Sequence, residues 1–334
     1  MRPGIKQVAE RAGVSTATVS HVINGTRFVS EEAKAKVNAA MEELSYRPNS
    51  VARSLRSQKS MAVGLIVPIL PSDTSNFFFL TAAQGIQKVL REHGYQLLLS
   101  SNTSGTAEEE QEQIRLFQAQ WIDGLLIAPS AGGAGYPQEL AGAGFPVVFI
   151  DRRPQGFAGD CVLGDSYGGA YEAVSMLLGK GHRRIGFITG GESITTGSER
   201  YAGYRQALED RGVPLDPMLV KSAVSSFESG YSCAEQLLTD KSITALFIAN
   251  NVQTMGAMKY VQESGLRVPG ELAVVGFDDY DWTRITTPPL TVIRQPAYEL
   301  GCRAAEVLLA RIEHPEAEPQ EYRLPAELVM RESC

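Results

Sequence analysis

The residues from Met61 onward alternate between short apolar runs and amphipathic stretches. Short strands that alternate with helices of about ten to fifteen residues are typical of βαβ units and predict parallel sheets. The alternation runs to residue 150 and then starts again, so we expect two similar α/β lobes. The predicted strands are 61–68, 95–100, 124–128, 146–150, 161–163, 184–189, 219–224, 245–249, 272–277 and 290–294, followed by two terminal strands. The predicted helices are 79–93, 106–120, 136–143, 167–180, 198–212, 230–239, 254–265 and 298–313.

The first sixty residues follow a purely helical pattern. Apolar residues recur at three- and four-residue steps up to Ala12, Gly13 then ends the helix, and Ser15 is placed to cap a second helix. A third helix is predicted from a Ser30 cap to Leu44. Two short helices about a small turn predict a helix-turn-helix, with an ordinary helical hairpin as the alternative. The residues expected to face inward on the second helix are Val19, Val22 and Ile23.

Charge is divided unevenly along the chain. Residues 1–60 hold ten lysines and arginines against five glutamates, a net charge of +5, so the overall charge of -7 leaves -12 for residues 61–334. A basic module on an acidic body suits a protein that contacts phosphates at one end. A solvated surface without a binding role could have the same balance, so charge alone does not decide between the two.

The block from Ile5 to Lys59 resembles the DNA-binding headpiece and hinge of the LacI family of bacterial transcriptional regulators. The resemblance is carried above all by residues 14–33, which read VSTATVSHVINGTRFVSEEA and are most similar to the headpiece of the family's purine-responsive members. It implies a helix-turn-helix headpiece over 1–48, a hinge over 49–60, and an effector-binding and dimerisation domain over 61–334.

For the α/β part, the resemblance implies a two-lobed body similar to periplasmic sugar-binding proteins. In such a body the chain crosses between the lobes three times, and we expect the crossings near Cys161, Leu290 and Gln320. A ligand would bind in the cleft, where the carboxyl ends of parallel strands point. The expected lobes are about 61–160 with 290–320, and about 161–289 with 321–334.

The resemblance also assigns roles within the headpiece. A recognition helix reads bases from its N-terminal part in the major groove, and Thr16, Ala17 and His21 match the family's base-reading positions. An exposed helix residue without a role is the alternative for each of them. The residues expected to position phosphates are Ser15, Ser20, Asn24 and Arg27.

Val51, Ala52 and Leu55 form a narrow apolar stripe on a predicted hinge helix of barely two turns. Such a helix is not stable alone, because nucleation is costly, so we expect it to pack on a second copy of itself and on DNA. The resemblance implies that Leu55 inserts between base steps in the minor groove and that Arg53 and Arg56 contact phosphates. A disordered linker is the alternative. The expected partners are therefore operator DNA and a second identical chain.

The family's effector-binding positions fall on both predicted lobes. A carboxylate and a guanidinium that face aromatic walls suit a polyhydroxyl ligand, which needs directional hydrogen bonds and an apolar platform. Helix capping by Asp151 or Asp165, and core packing of Phe77 or Phe78, are the alternatives. Asn251 stands where the family commonly has an acid. The matching positions are Phe77, Phe78, Asp151, Asp165, Arg200, Phe227, Asn251, Asp278 and Trp282, the last as a stacking wall.

The effector class depends on one substitution. Ile194 occupies the position at which the purine-responsive members use an arginine in effector recognition. A sugar or sugar derivative is therefore the expected effector, and a purine-type corepressor is the alternative. The function that the resemblance implies is a ligand-responsive repressor of carbohydrate-uptake or catabolism genes, acting on a pseudo-palindromic operator.

Two other classes of protein fit the sequence less well. An enzyme would need a phosphate loop or a nucleophile, but 133–135 lacks the third glycine of a dinucleotide fingerprint, no GK[ST] occurs, and 230–234 is a near miss to a nucleophile elbow. A secreted solute-binding protein would share the body, but we recognise no signal peptide and expect a non-enzymatic regulator instead.

Cysteine and histidine spacing bears on cofactors and compartment. The four cysteines and four histidines are scattered without ligand spacing, so we expect no disulfide scaffold, no metal and no cofactor, and a reducing cytoplasm. No apolar run approaches the roughly 20 residues of a membrane span. No heptad tail follows the last predicted strand, so a dimer is expected rather than a tetramer.

Overall fold

The computed structural model describes residues 3–24, 27–46, 59–71, 77–130, 140, 142–154, 159–191 and 194–334, without the side chain of Asn24. The chain divides into two compact units, Met1–Ser60 and Met61–Cys334. Part of the helix predicted at 136–143 lies outside the described residues, and so does the apolar stripe predicted on the hinge helix at 51–55.

In the described part of the N-terminal unit, the helices are α1 (Ile5–Ala12), α2 (Thr16–Asn24) and α3 (Glu31–Glu43). Gly13 ends α1 in the left-handed region at φ 68°, a conformation that glycine adopts without strain. The Ser15 hydroxyl accepts a hydrogen bond from the Thr18 amide at 3.0 Å and starts α2. The predicted helix-turn-helix is confirmed. Its buried core consists of Val8, Ala9, Ala12, Val19, Val37 and Ala40.

The second unit contains the predicted alternation of strands and helices. Its strands are β1 (Ala62–Pro68), β2 (Gln96–Asn102), β3 (Gly124–Ile127), β4 (Val147–Ile150), β5 (Asp160–Gly164), β6 (Ile185–Thr189), β7 (Val220–Ser222), β8 (Ala245–Ile248), β9 (Ala273–Phe277), β10 (Thr291–Arg294), β11 (Glu321–Leu324) and β12 (Glu327–Val329). Its helices are α4 (Phe77–Glu92), α5 (Ala107–Ala119), α6 (Ser166–Gly179), α7 (Thr195–Asp210), α8 (Phe227–Leu237), α9 (Asn251–Glu263), α10 (Asp281–Ile285) and α11 (Ala297–Glu313).

Two sheets of six strands define the two lobes. The first lobe has the order β11-β5-β4-β3-β1-β2, and the second lobe has the order β12-β10-β9-β8-β6-β7. The pairs are parallel except for β12, which runs antiparallel to β10. Buried strands covered by helices on both faces explain why β3 and β9 are apolar throughout. The carboxyl ends of the parallel strands form one edge of each sheet, and the candidate functional site lies at these two edges.

The three crossings between the lobes lie a few residues beyond the predicted positions. β5 pairs with β4 and so stays in the first sheet, β10 pairs with β9 in the second, and β11 pairs with β5 in the first. The chain therefore crosses near Asp165, at 295–296 and at 325–326. Before each crossing, the strand pairs with the sheet of the lobe that the chain is about to leave, because its backbone amides and carbonyls find hydrogen-bond partners there.

Among the described residues, no helix combines the length and the apolar character needed to cross a membrane. The short helix α10, which the sequence pattern did not predict, follows the end of β9 directly. It therefore lies at the carboxyl edge of the second sheet.

Candidate functional site

A cavity of about 100 Å³ lies between the two lobes. The first lobe supplies the start of α4 and the residues that follow β4, and the second lobe supplies the ends of β6, β8 and β9 and the starts of α7 and α9. This is the carboxyl edge of both sheets, where open α/β folds bind ligands. The principal lining residues are Phe78, Phe79, Asp151, Arg152, Thr189, Ile194, Arg200, Asn251, Asp278, Tyr280 and Gln295.

Arg200 is a buried cation at the centre of the second-lobe wall. Its side chain is 7 % exposed, and its Nη1 donates to the Ala249 carbonyl oxygen at 2.7 Å. The guanidinium lies over the Phe277 ring, 3.7 Å from the ring centroid. Burial lowers the pKa of Arg200, while the charges of Asp278 and Asp151 oppose that shift. A preorganised guanidinium of this kind can hold a ligand oxygen.

Asp151 follows β4 and faces the cavity from the first lobe. It adopts a left-handed φ of 65°, a conformation that is uncommon for a residue other than glycine and is often found at ligand sites. Arg152 Nε donates to its Oδ2 at 3.2 Å. Burial raises the pKa of Asp151, and the charges of Arg152 and Arg200 oppose this rise.

Asp278 is the corresponding acid at the end of β9 in the second lobe. It also has a left-handed φ, of 69°, and its Oδ1 accepts a hydrogen bond from Gln295 Nε2 at 2.7 Å. The next residue, Asp279, is 1 % exposed and pairs with Arg331 at 2.6 Å. That buried pair holds the turn on which Asp278 is carried.

The aromatic wall is shifted by one residue from the predicted one. Phe78 and Phe79 line the cavity, whereas Phe77, predicted with Phe78, is 56 % exposed. Successive residues of a helix differ in direction by about 100°, and α4 begins at Phe77. Phe77 instead contacts Tyr280 of the second lobe, with ring centroids 5.5 Å apart.

Besides Phe77, three more predicted effector residues do not line this cavity. The Asp165 carboxylate caps α6 by accepting a hydrogen bond from the Gly168 amide at 2.8 Å, which was the alternative weighed for it. Phe227 begins α8, which packs so closely on α9 that a Cβ on Gly256 would lie 1.9 Å from the Phe227 carbonyl oxygen. Trp282 lies behind the lining, where its indole Nε1 donates to Asn251 Oδ1 at 3.0 Å. Its predicted role as a stacking wall therefore finds no support in the lining and stays a prediction.

Sequence reasoning missed several lining residues besides Phe79, including four whose side chains carry polar groups. Thr189 ends β6, Gln295 follows β10, Arg152 follows Asp151, and Tyr280 lies after β9. The rule that ligands bind at the carboxyl ends of parallel strands could have identified the first two. The Thr189 hydroxyl is buried and has no hydrogen-bond partner among the described residues.

Charged side chains also join the two lobes beside the cavity. Arg323 of β11 donates to both carboxylate oxygens of Glu199 on α7, at 2.7 and 3.1 Å. The amide of Arg153, in the first lobe, donates to the Thr195 hydroxyl at the start of α7 at 3.0 Å. These contacts lie next to Arg200 in sequence and connect the lobes where the ligand would sit.

In the N-terminal unit, the predicted base-reading helix is accessible. Ser15, Thr16 and Ala17 are exposed, and Ser20 and His21 are partly exposed. Arg27 is exposed in the segment after α2. The hinge residues Arg53, Leu55 and Arg56 and the side chain of Asn24 lie outside the described residues, so their roles stay predictions.

Comparison with known proteins covers the whole chain. Residues 4–49 match the family described as bacterial regulatory proteins, lacI family, and residues 174–334 match the periplasmic binding protein-like domain. The ribose operon repressor of Haemophilus influenzae is 36% identical over 330 residues, which are 98% of each chain. The transcriptional repressor PurR of Vibrio atlanticus is 33% identical over 329 residues, covering 98% of this chain and 97% of that one.

Two solved structures extend the likeness to three dimensions. The lac repressor dimer bound to operator and the anti-inducer ONPF has a TM-score of 0.87 and 28% identity, covering 100% of this chain and 99% of that one. The complex of the transcriptional regulator CelR with cellobiose has a TM-score of 0.76 and 32% identity, covering 100% of both chains.

Proposed function

This chain belongs to the LacI family of bacterial regulatory proteins, and from that premise we propose that it is a repressor whose hold on operator DNA is set by a small ligand in the cleft between its lobes. The observation that carries the proposal is the cleft itself. A buried arginine, two carboxylates and two aromatic rings converge there from both lobes. The exposed N-terminal part of α2 supplies the complementary surface for DNA.

The lining favours a neutral ligand rich in hydroxyl groups. Asp151 and Asp278 can accept hydrogen bonds from hydroxyls, Arg200 can donate to ligand oxygens, and Phe78 and Phe79 offer an apolar platform.

A sugar is favoured over a purine by Ile194, which lines the cavity at the position of the family's purine-recognising arginine. Its aliphatic side chain offers no hydrogen bond to a purine. Relatives carry both names, the ribose operon repressor and PurR. A monosaccharide such as ribose is therefore the first candidate effector, and a purine is the second.

For DNA, we propose that Thr16, Ala17 and His21 read bases and that Ser15, Ser20, Asn24 and Arg27 position phosphates. We propose that Arg53 and Arg56 contact phosphates and that Leu55 wedges into the minor groove as part of a paired hinge. Two copies of the chain would read a two-fold operator. If six to ten phosphates are neutralised, affinity should fall by about 10³–10⁵ between 50 and 200 mM salt.

The proposal is tested by gel shift and calorimetry on the purified chain. Operator candidates come from DNA upstream of its own gene, and the ligand panel contains D-ribose, other monosaccharides, sugar acids, hypoxanthine and guanine. We expect one sugar to bind the protein and to change operator affinity, and we expect the operator to change sugar affinity by the same factor. A flat salt response would refute the DNA-binding mode, and tight binding of a purine with no response to any sugar would refute the effector class.

A non-enzymatic role is part of the proposal. The relatives compared above are repressors, and the described residues contain no group of three or more His, Cys, Asp or Glu that could hold a metal ion. Turnover of a bound sugar in the calorimeter cell, detected as a new product, would contradict this part.

A further inference from the structure

Met61 is the residue at which the chain enters its second unit, and its backbone is left-handed. Its φ is 56°, a conformation that is costly for a residue with a side chain and is often found at functional positions. Among the described residues, the other non-glycine residues with a positive φ are Ser45, Asp151 and Asp278. Two of these are the acids of the cleft, so the conformation of Met61 calls for an explanation.

Both backbone polar groups of Met61 are held by the strands on either side of β1. The Met61 amide donates to Asp123 Oδ2 at 3.0 Å, just before β3 begins. The Met61 carbonyl oxygen accepts from the amide of Gln96, the first residue of β2, at 2.8 Å. The Asp123 amide in turn donates to the Ala62 carbonyl oxygen at 2.8 Å. The entrance to β1 is therefore fixed from both neighbouring strands.

The Asp123 carboxylate is supported by the phenol of Tyr95. Burial raises the pKa of Tyr95 to about 12, and the negative charge of Asp123 and a hydrogen bond to it add to the rise. The phenol therefore stays protonated at neutral pH and donates its O–H to the carboxylate. Because the carboxylate accepts from both the Met61 amide and the Tyr95 hydroxyl, it is held in one orientation.

Met61 lies at the amino edge of the first sheet, opposite the carboxyl edge that carries the cavity. The two edges are connected by β1, which has seven residues and so spans roughly 23 Å at about 3.3 Å for each residue. The predicted hinge, residues 49–60, joins the sheet through Met61. A movement of the first lobe on ligand binding reaches the hinge through this junction, so its stiffness bears on the coupling between ligand and DNA.

We propose that Asp123 is a positioning residue for operator binding, which holds Met61 left-handed and thereby fixes the direction in which the hinge leaves the first lobe. The inference rests on the proposed function and deepens it, since it names the junction through which the lobe acts on the DNA-binding part. Without the carboxylate, Met61 should return to the negative φ values that its side chain favours. The hinge would then leave the lobe in another direction, and the protein would fit its operator less well.

Asp123→Ala and Asp123→Asn differ in the feature that the inference requires. Alanine offers no acceptor to the Met61 amide, whereas asparagine keeps a side-chain oxygen for it. On operator DNA from upstream of the chain's own gene, Asp123→Ala should weaken binding by about ten- to a hundredfold, and Asp123→Asn by less than about threefold. Equal losses in the two variants, or full affinity in Asp123→Ala, would overturn the inference.

Glu109→Ala is the matched control, because the Glu109 carboxylate also holds backbone amides of the first lobe. It accepts from the Thr103 and Ser104 amides at 3.0 and 2.7 Å, beyond the other end of β2. Operator affinity without effector should be unchanged in Glu109→Ala, and thermal unfolding shows that each variant is folded. In Asp123→Ala, affinity for D-ribose without DNA and for an unrelated duplex should be unchanged, since non-specific binding depends on phosphates. A parallel fall of all three affinities would show that Asp123 merely supports the fold.

Substitutions of Met61 test the backbone conformation without removing the carboxylate. Glycine adopts a positive φ about as readily as a negative one, whereas valine, which is β-branched, strongly disfavours it. Met61→Gly should keep operator affinity within about threefold and should restore part of the loss when added to Asp123→Ala. Met61→Val should weaken operator binding by about tenfold. The reverse order of Met61→Gly and Met61→Val would contradict a role for the left-handed conformation.

A measurement without DNA or ligand separates failure of this inference from failure of the proposed function. In the ¹⁵N-methionine-labelled protein, the Met61 amide hydrogen should exchange slowly in the wild type and in Asp123→Asn, and faster in Asp123→Ala. If the wild type binds DNA from upstream of its gene no better than an unrelated duplex, the proposed function is refuted there, while the exchange rates still decide whether Asp123 holds Met61. Equal exchange in all three proteins would refute the contact itself.

Discussion

The first lobe brings to the cleft two aromatic rings, Phe78 and Phe79, and one acid, Asp151, whose pKa is raised by burial. The second lobe brings a buried guanidinium, Arg200, with the acid Asp278 and the ring of Tyr280, while Arg152 adds a guanidinium on the first-lobe side. The two sheets have equivalent strand orders, so the contrast does not come from topology. It comes from the side chains at the strand ends. We therefore expect the first-lobe wall chiefly to cover a ligand and the second-lobe wall chiefly to fix its polar atoms.

This contrast bears on how ligand binding can act on DNA. A ligand fixed by one lobe and covered by the other stabilises one arrangement of the two lobes relative to alternatives. A strong switch, from 1:99 to 99:1, needs about 5.5 kcal/mol of differential binding, and couplings of about 1–3 kcal/mol give a partial response. The contribution of each wall to that energy can be measured separately.

The largest effects are expected from the fixing wall. Asp278→Ala and Arg200→Ala each remove one charged hydrogen-bonding group from the cavity lining, at a cost of about 2–5 kcal/mol, or roughly 30- to 4,000-fold in ligand affinity. Each variant should lose its response to the effector and keep operator binding in its absence. Calorimetry and gel shift measure the two properties.

Arg184 provides a control in the same lobe, since it pairs with Asp216 and Asp240 away from the cavity. Arg184→Ala should keep its ligand response. A full response in Arg200→Ala or Asp278→Ala would erase the distinction between the two walls.

A smaller effect is expected from the covering wall. Phe78→Ala exposes one side of the ligand and should cost about 1–2 kcal/mol, or about 5- to 30-fold in affinity. Phe77→Ala is the matched variant, because Phe77 is its exposed neighbour on the same helix. It should weaken ligand binding less than Phe78→Ala does. A larger loss of ligand affinity in Phe77→Ala than in Phe78→Ala, measured by calorimetry, would contradict this assignment of the covering wall.

Loss of the ion pair between the two lobes should have a still smaller effect on ligand affinity. The Arg323 and Glu199 side chains are 34% and 25% exposed, and a partly exposed pair contributes at most about 1 kcal/mol. Glu199→Gln and Arg323→Met should therefore change ligand affinity by up to about fivefold, with a difference that shrinks at high salt. The exposed pair Arg267–Glu271 supplies a control, for which no change is expected. An equal loss of ligand affinity in variants of the Arg267–Glu271 pair would show that the pair between the lobes has no special role.

The smallest expected effect is the pH dependence of thermal stability that the Asp151 carboxyl causes. Burial raises the pKa of Asp151 in the folded protein, so the folded state is penalised as pH rises from the ordinary carboxyl range through that raised value. Asp151→Asn should thus increase the thermal stability of the ligand-free protein at neutral pH, by on the order of a few degrees, while weakening ligand binding. The gain should vanish below the ordinary carboxyl range, where the wild-type group is also neutral. A gain that is independent of pH, measured by thermal unfolding, would contradict this account.

Several features could be predicted from the residues because they are local. The turn at Gly13, the cap at Ser15 and the alternation of strands and helices depend on neighbours within a few positions. Family resemblance then carried Arg200 and Asp278 to the cleft, and both line it. The lobe crossings lie beyond the predicted positions because a strand such as Thr291–Arg294 has the same sequence pattern whichever sheet it joins.

The amino-acid sequence by itself determined that this chain has a helix-turn-helix unit followed by two α/β lobes, since periodicity and capping act over one or two turns of backbone. Tertiary structure alone decided that Trp282 contacts Asn251 and does not line the cavity, that Asp165 caps a helix, and that Phe79 rather than Phe77 reaches the cavity. These outcomes depend on hydrogen-bond partners and packing faces that are distant in sequence. The chemistry of a side chain determines what it can bind, and the fold determines which partner lies within reach.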